Sequence, residues 1–261
     1  MSMGLRRHLA RKQQLFMIGT LFLLSILAVS AYWFFGGKPE SLPPEEALAE
    51  EINRLYPEAD VGQIEDIIFL DEGHAFIPFR SKKGSRGFSL WKWQWHRWQV
   101  AAINTSGWPS LVKRKEGQPA TYDIVWHLHP DDPVDKIAFY LIRERHLAFF
   151  DEKELYLPAI QMEEEVSLHE KTYGSISLPE SWVQVMDSLI VLEKERQPPA
   201  ELDTVLSHLS LPPSVNIYAI FYDEKGQEVY PERDVISSQY SSGSLSVDTI
   251  IIWHTDQLFP N

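Results

Sequence analysis

Residues 15–35, LFMIGTLFLLSILAVSAYWFF, form one uncharged apolar run, which restricts the chain more than any other feature. A helix over this run would be about 31 Å long, close to the hydrocarbon thickness of a bilayer at about 30 Å. Basic residues lie before the run, and no acidic residue comes before Glu40. The positive-inside rule then predicts a transmembrane helix with its N-terminus in the cytoplasm.

This interpretation divides the chain into consecutive parts. We expect a basic cytoplasmic segment at 1–14, a signal anchor at 15–35, a Gly/Pro-rich linker at 36–44 and an extracytoplasmic domain at 45–261. A proline-rich stretch near 198–213 is the one candidate for an internal boundary. The predicted location is a bacterial cell membrane, crossed once.

A cleaved signal peptide is the alternative for the N-terminal run. Small residues around Ser30 and Ala31 suit cleavage after either residue, whereas the apolar run continues to Phe35, as an anchor would. The layout of a basic start, one span and a cysteine-free domain resembles that of small membrane-anchored proteins of Gram-positive bacteria. A resemblance of layout implies no residue roles.

Charge and composition exclude several classes of function. The formal net charge is −13, so the surface repels phosphate backbones and we expect no nucleic-acid partner. The absence of cysteine excludes disulfides, thiolate metal sites and cysteine nucleophiles. A hydrophobic content of 44% is sufficient for a packed core.

The order of the predicted elements indicates an α+β fold with a mostly antiparallel sheet and a few helices. Apolar spacing predicts helices over 45–56 and 178–197, the second with a capping-box spacing between Ser177 and Glu180. Strand-type segments dominate between them, and DTIIIWHT (248–255) is predicted to be one buried strand.

Three segments share one pattern of apolar strand, Asp-Glu turn, apolar strand and proline. They are 67–79, 147–159 and 219–232, and we expect each to be a β-hairpin. The pattern fits either a repeated module or unrelated hairpins that share turn chemistry. The flanking sequences do not match, which favours unrelated hairpins.

The stretch WKWQWHRWQV (91–100) is rich in tryptophan. Trp91, Trp93 and Trp95 alternate as along one face of a strand, and the phase shifts before Trp98, which predicts a turn or bulge near 95–98. Core packing is the favoured interpretation of the three rings. The alternative is an exposed ledge that binds a glycan or a peptide.

The segment WHLHPDD (126–132) is the best local candidate for a metal site. In a strand His127 and His129 project from one face, and imidazoles with a nearby carboxylate can bind zinc. No third ligand is evident, and histidines beside an acidic turn are also ordinary surface chemistry. No cofactor motif is present, and we expect no cofactor.

These features favour a membrane-anchored extracytoplasmic binding or regulatory domain without enzymatic activity. Its partner would be a protein, a peptide or a cell-wall component. One alternative is an extracytoplasmic hydrolase, assisted by a metal at His127 and His129. The other is a scaffold subunit of a membrane complex that works through residues 15–35.

Overall fold

The computed structural model describes residues 16–30, 38–150, 153–169, 171–196, 215–231, 233 and 238–258. Contacts between residues divide the chain into two compact units, Met1–Leu42 with Trp93–Gln99 and Pro43–Lys92 with Val100–Asn261. The smaller unit holds an N-terminal helix and the turn of one hairpin. The larger unit holds the remaining helices and most of the sheet structure.

Helix α1 covers residues 16–30 in the smaller unit. No helix in the described ranges is long and apolar enough to cross a membrane. The predicted transmembrane signal anchor over 15–35 is therefore wrong, and so is the single-pass membrane location that depends on it. Residues 15 and 31–35 of the run lie outside the described residues.

The larger unit contains helices α2 (Glu45–Leu55), α3 (Glu180–Arg196) and α4 (Thr255–Leu258). The two helices predicted from apolar spacing are thus confirmed within one or two residues at the ends that the structure describes. In α2 the buried side chains Leu48 and Ile52 lie one turn apart and hold the helix against the larger unit.

The predicted capping box at the start of α3 is wrong. Ser177 lies in the strand that precedes the helix, and its hydroxyl donates to a carboxylate oxygen of Asp123 at 2.8 Å. Pro179 instead accepts the first helical hydrogen bond, from the backbone N–H of Trp182. The Ser177 hydroxyl therefore binds a buried carboxylate and does not cap the helix in the way that the spacing predicted.

The chain forms seventeen strands in its described part. They are β1 Val61–Ile64, β2 Ile68–Asp71, β3 His74–Ser81, β4 Arg86–Gln94, β5 Arg97–Asn104, β6 Ser110–Lys113, β7 Tyr122–His127, β8 Lys136–Arg143, β9 His146–Phe150, β10 Lys153–Leu157, β11 Ile160–Ser167, β12 Tyr173–Ser177, β13 Asn216–Tyr222, β14 Glu228–Val229, β15 Gln239–Ser241, β16 Ser246–Thr249 and β17 Ile251–Ile252.

These strands make three sheets and one two-stranded ribbon. Sheet A has the order β1-β3-β4-β5-β15, with β2 also paired to β3. Sheet B has the order β12-β7-β6-β16, and sheet C has the order β11-β8-β13-β14, with β17 parallel to β13. The ribbon is β9 with β10.

Sheet B is the middle layer, because its two faces contribute to different cores. One face packs on sheet C and helix α3 around a cluster that includes Ile124, Trp126, Phe139, Trp182 and Phe221. The other face packs on sheet A around a second cluster, which includes Phe76, Phe88, Leu90, Val112 and Val125. The cores therefore lie between sheets stacked face to face, as in sheet sandwiches.

This architecture corrects the predicted α+β class. The described residues are mostly β; helix α3 forms a side wall of one core, and helix α2 packs separately through Leu48 and Ile52. The sequence overstated the helices because an amphipathic helix of three or more turns gives a stronger periodic signal than a short strand. Strands buried on both faces give continuous apolar runs without alternation. The number of strands could therefore not be counted from the sequence.

The Asp-Glu hairpins are confirmed as antiparallel pairs, although in three different sheets or ribbons: β2 with β3, β9 with β10 and β13 with β14. Asp151 and Glu152 lie outside the described residues. The predicted single strand over 248–255 is wrong. Ile250 is buried and separates β16, which pairs in sheet B, from β17, which pairs in sheet C. One short segment thus joins two layers.

Burial separates two tryptophans of the same hairpin. The Trp91 side chain is 2% exposed and its indole N–H donates to Ser89, whereas Trp95 is 58% exposed. We expect Trp91→Ala to lower the free energy of unfolding by about 3–5 kcal/mol, because it opens a large cavity. Trp95→Ala should change it by less than about 1 kcal/mol. Urea unfolding of both variants checks this, and equal losses would contradict the assigned burial.

Candidate functional site

Strand β7 is buried along its whole length, yet one of its faces carries two polar side chains, Asp123 and His127. Tyr122, Ile124 and Trp126 belong to the core between sheets B and C. Residues alternate along a strand, so Asp123, Val125 and His127 project toward sheet A. All six residues are buried, and the carboxylate and the imidazole therefore need partners within the protein.

His127 is completely buried and bridges two sheets. Its Nδ1 lies 2.8 Å from the carbonyl oxygen of Gly87 in β4, and its Nε2 lies 3.0 Å from Oε2 of Glu65, in the connection between β1 and β2. Arg86 lies behind Glu65, with 3.7 Å between Nη1 and Oε1. Tyr173, the cross-strand neighbour of His127 in β12, packs edge-to-face on the imidazole.

The partners of His127 restrict where protons lie. A carbonyl oxygen accepts only, so Nδ1 must carry a hydrogen and donate to Gly87. Nε2 faces a carboxylate, so one further proton is shared between His127 and Glu65. The hydrogen bond from His127 lowers the pKa of Glu65 and outweighs burial, with Arg86 and Arg80 adding attraction. The carboxylate of Glu65 is therefore held in its ionised form in this contact.

A second network joins the other end of the same face. Arg114 donates to Asp123 through Nε at 2.7 Å and to Asp71 through Nη1 at 2.5 Å. The Asp123 carboxylate also accepts the Ser177 hydroxyl, and Asp71 accepts His74 Nδ1 at 2.8 Å. The chain of contacts thus runs from β12 and β7 in sheet B through Arg114 to β2 and β3 in sheet A.

The two carboxylates on Arg114 titrate differently. Burial raises the pKa of Asp123 and outweighs the hydrogen bonds from Ser177 and Arg114. Burial would also raise the pKa of Asp71, but hydrogen bonds from His74, Arg114 and the Gly73 amide outweigh it, and that pKa is lowered. Exposure explains the difference, since the side chains are 2% and 37% exposed.

His74 with Asp71 has the form of a catalytic Asp–His pair. Its Nδ1 hydrogen bond leaves Nε2 buried without a hydrogen-bond partner in the described structure. Burial lowers the pKa of His74 more than Asp71 raises it, so the imidazole is neutral and Nε2 carries a lone pair. A hydrolase needs a nucleophile or a water at that atom. No hydroxyl among the described residues donates to it.

The predicted metal ligands are both placed by the structure. His127 and His129 line one shallow depression with Trp108 and Arg233. Both ring nitrogens of His127 are engaged, and the Asp131 backbone N–H donates to Nδ1 of His129 at 3.2 Å. No group of three or more potential metal ligands occurs within the described ranges. Zinc at this pair stays a prediction, and a metal would have to displace the Gly87 or Glu65 hydrogen bond.

The tryptophan stretch forms a hairpin whose turn we call the tryptophan turn, Trp93–Trp98. Strand β4 ends at Gln94 and β5 begins at Arg97, so Trp95 and His96 are the two central turn residues. Both have positive φ, at 58° and 54°. This is the geometry of a type I′ turn, which Asn-Gly adopts without strain and bulky residues rarely adopt.

Neighbouring rings of the smaller unit support the tryptophan turn. Trp93 packs edge-to-face on Trp98 at 5.8 Å and on His96 at 6.5 Å between ring centroids. The Trp98 indole N–H donates to the carbonyl oxygen of Glu40 at 2.7 Å. Trp93 is half-buried and Trp98 is buried, whereas Trp95 is mostly exposed. Of the three tryptophans predicted as core or ledge, Trp91 lies in the core and Trp95 on the surface.

Sequence reasoning missed the charged partners of β7. None of Glu65, Arg86 and Arg114 stands in a recognisable motif. The contacts of Glu65 with His127 and of Arg114 with Asp71 cross from one sheet to the other. A signal existed in the strand YDIVWH itself. Aspartate and histidine inside an otherwise apolar strand predict buried partners, although the sequence cannot say which ones.

Neither a family model, a curated protein nor a solved structure matches the chain. The roles assigned to individual residues therefore rest on their contacts. Glu65 and Arg114 belong to buried charge networks between sheets. Trp95 is an indole that is 58% exposed on a turn whose two central residues have positive φ.

Removing Arg114 should strongly destabilise the larger unit. Arg114→Met keeps the length of the side chain but leaves Asp123 buried beside Asp71 without a cation. We expect a loss of about 3–5 kcal/mol in the free energy of unfolding. The double variant Arg114→Met with Asp123→Asn should recover part of that loss, because no buried charge then remains at Asp123. Denaturant titrations measure both, and a loss below about 1 kcal/mol for the single variant would contradict the network.

Glu65 should make stability fall in acid. Its pKa is lowered from a usual value of 4.5, so its ionised form stabilises the folded state above about pH 4.5. That contribution is lost as the pH falls through the lowered pKa. In Glu65→Gln the amide can donate to His127, so the variant should fold and lose stability less steeply between pH 5 and pH 3. Urea titrations across that range test this, and parallel pH profiles would refute it.

Proposed function

We propose that the protein is a non-enzymatic binding module that contacts a partner protein through the tryptophan turn. The observation that carries this proposal is Trp95, which is 58% exposed on a turn where both central residues have positive φ. Strained backbone persists where a function requires it, and an exposed large ring marks an interaction surface.

The cost of this turn supports the proposal. A non-glycine residue with left-handed backbone costs about 1–2 kcal/mol, and here Trp95 and His96 both have it. Asparagine and glycine at the same positions would form the turn without that cost. The fold therefore gives up stability to place an indole and an imidazole at the end of a hairpin.

The composition of the turn suits a protein partner. Tryptophan and arginine are the residues most enriched among those that dominate binding energy, and Arg97 lies exposed next to Trp95 and His96. Trp93 is half-buried and Trp98 is buried, and their packed rings keep the turn ordered. Little conformational entropy is therefore lost when a partner binds. The net charge of −13 makes a nucleic-acid partner unfavourable.

The hydrolase alternative has weaker support. It relies on His127, whose nitrogens both take part in hydrogen bonds between sheets. The other candidate base, His74, is buried and has no nucleophile in contact with Nε2 among the described residues. The arrangement of both histidines fits stabilisation of stacked sheets.

Replacing the turn separates binding from stability. In the double variant Trp95→Asn, His96→Gly we expect the free energy of unfolding to rise by about 1–2 kcal/mol, because the backbone strain is relieved. The same variant should lose its partner. A photo-crosslinking amino acid at position 97, in cells that produce the full chain, should give one discrete protein adduct with the parent turn and none with the double variant.

Phe69→Ala is the matched control, because Phe69 is an aromatic side chain that is 56% exposed on β2, away from the turn sequence. The adduct should persist in this background. An adduct that survives the turn replacement, or the absence of any discrete adduct with the parent turn, would reject the tryptophan turn as the binding surface.

A further inference from the structure

Strand β11 is a long edge strand with one unpaired side. Its residues Ile160–Ser167 pair with β8 in an unbroken antiparallel register, from Ile160 opposite Arg143 to Ser167 opposite Lys136. On its other side no strand of the described ranges pairs with it, and sheet C ends there. Among the described strands, the outer backbone N–H and C=O groups have no partner and can pair with an added strand.

Few features protect this edge from pairing. Natural edge strands are usually short, kinked by a bulge, interrupted by proline or protected by charged side chains, and of these devices β11 has only its glutamates. β11 has eight residues, a regular register and no proline. Its side chains alternate between half-buried and exposed along its whole length, so it presents a regular template for an added strand.

The half-buried row of β11 faces the core between sheets B and C. Met162 and Val166 pack on that core from its margin, and both remain partly exposed. Glu164 lies between them in the same row, directly opposite the fully buried Phe139 of β8. The edge at β11 is therefore apolar, with the carboxylate of Glu164 at its centre.

Glu164 differs from the acidic residues beside it. The carboxylate of Glu163 accepts the hydroxyl of Tyr140 at 2.7 Å, and that of Glu165 pairs with Lys136. Glu164 is half-buried and makes no hydrogen bond or ion pair in the part of the chain that the structure describes. A partly desolvated carboxylate without a partner is unfavourable, and a cation beside it would remove the cost.

We propose that the outer edge of β11 binds an extended segment of a partner protein as an added strand. The segment has the pattern apolar-x-basic-x-apolar, with lysine or arginine facing Glu164 and the apolar residues covering Met162 and Val166. Main-chain hydrogen bonds supply affinity, and the alternating side chains supply specificity, as in other cases of strand addition.

A second copy of this chain is the wrong occupant for the edge. Two β11 strands paired in either direction would bring Glu163, Glu164 and Glu165 close to the same residues of the other copy. Like charges across a strand pair destabilise it. The edge thus rejects self-association and accepts a strand of opposite charge.

The test uses a designed peptide and the full-length protein. In the peptide valines alternate with threonines, and lysine replaces the central valine of a nine-residue strand. We expect saturable binding by fluorescence anisotropy, and about tenfold weaker binding to Glu164→Gln, the effect of losing one favourable charge contact. Glu165→Gln removes the same charge from the exposed row, and its affinity should stay within about twofold of the parent.

A second peptide separates strand addition from charge attraction. It is made in two forms with the same side chains and charge. In one form N-methyl groups on the odd-numbered residues block one hydrogen-bonding edge, and in the other form N-methyl groups on the even-numbered residues block the opposite edge. One of these forms should lose binding. Equal binding of both methylated forms, equal weakening by Glu164→Gln and Glu165→Gln, or no binding of the parent peptide at about 1 mM would overturn the proposal. Glu164→Gln should melt with the parent protein, because Glu164 has no partner to lose among the described residues. Glu165→Gln loses only an exposed ion pair with Lys136, which contributes little to stability, so its melt should also stay close to that of the parent.

Discussion

The burial of β7 on both faces is the constraint on which the larger unit depends. A strand between two sheets has no solvent on either side, so every polar group on it must find a partner inside the protein. On the face toward sheet C the side chains of Tyr122, Ile124 and Trp126 are largely apolar, and among the described residues only Nε1 of Trp126 lacks a partner there. On the face toward sheet A, Asp123 and His127 flank Val125, and the partners of these two residues decide how sheet A lies on sheet B.

Charge networks at the two ends of that face define the register between the sheets. Apolar packing alone tolerates small shifts, since hydrophobic contacts have no direction. Arg114 reaches Asp123 and Asp71 at the same time, and His127 reaches both Glu65 and a backbone carbonyl of β4. A shift by one residue would leave buried charges without partners, which costs far more than an imperfect apolar contact. These networks contribute specificity of arrangement more than net stability.

The two proposed binding surfaces lie at Trp95 and Glu164, whose surroundings differ from the matched contacts inside the sheets. Most polar and apolar groups of the sheets are matched to partners, so an unmatched group is informative. Trp95 exposes an indole on a backbone that other residues would form more easily, and Glu164 brings a carboxylate to an apolar strand edge without a cation. We propose that contact with another molecule stabilises the structure at both places, which would be the contribution of a binding function.

The sequence by itself determined the local elements. Apolar spacing located α2 and α3, the Asp-Glu turns located three hairpins, and the phase shift after Trp95 located a turn, because each of these signals lies within a few residues of the chain. The membrane span was misread from apolar length alone, since no helix in the described ranges is long and apolar enough to cross a membrane. The tertiary structure alone decided that three sheets stack, that Ile250 divides one apolar run between two sheets, and that Glu65 and Arg114 meet His127 and Asp123. Those contacts join residues 9 to 62 positions apart, and no local pattern records which distant partner a buried charge will find.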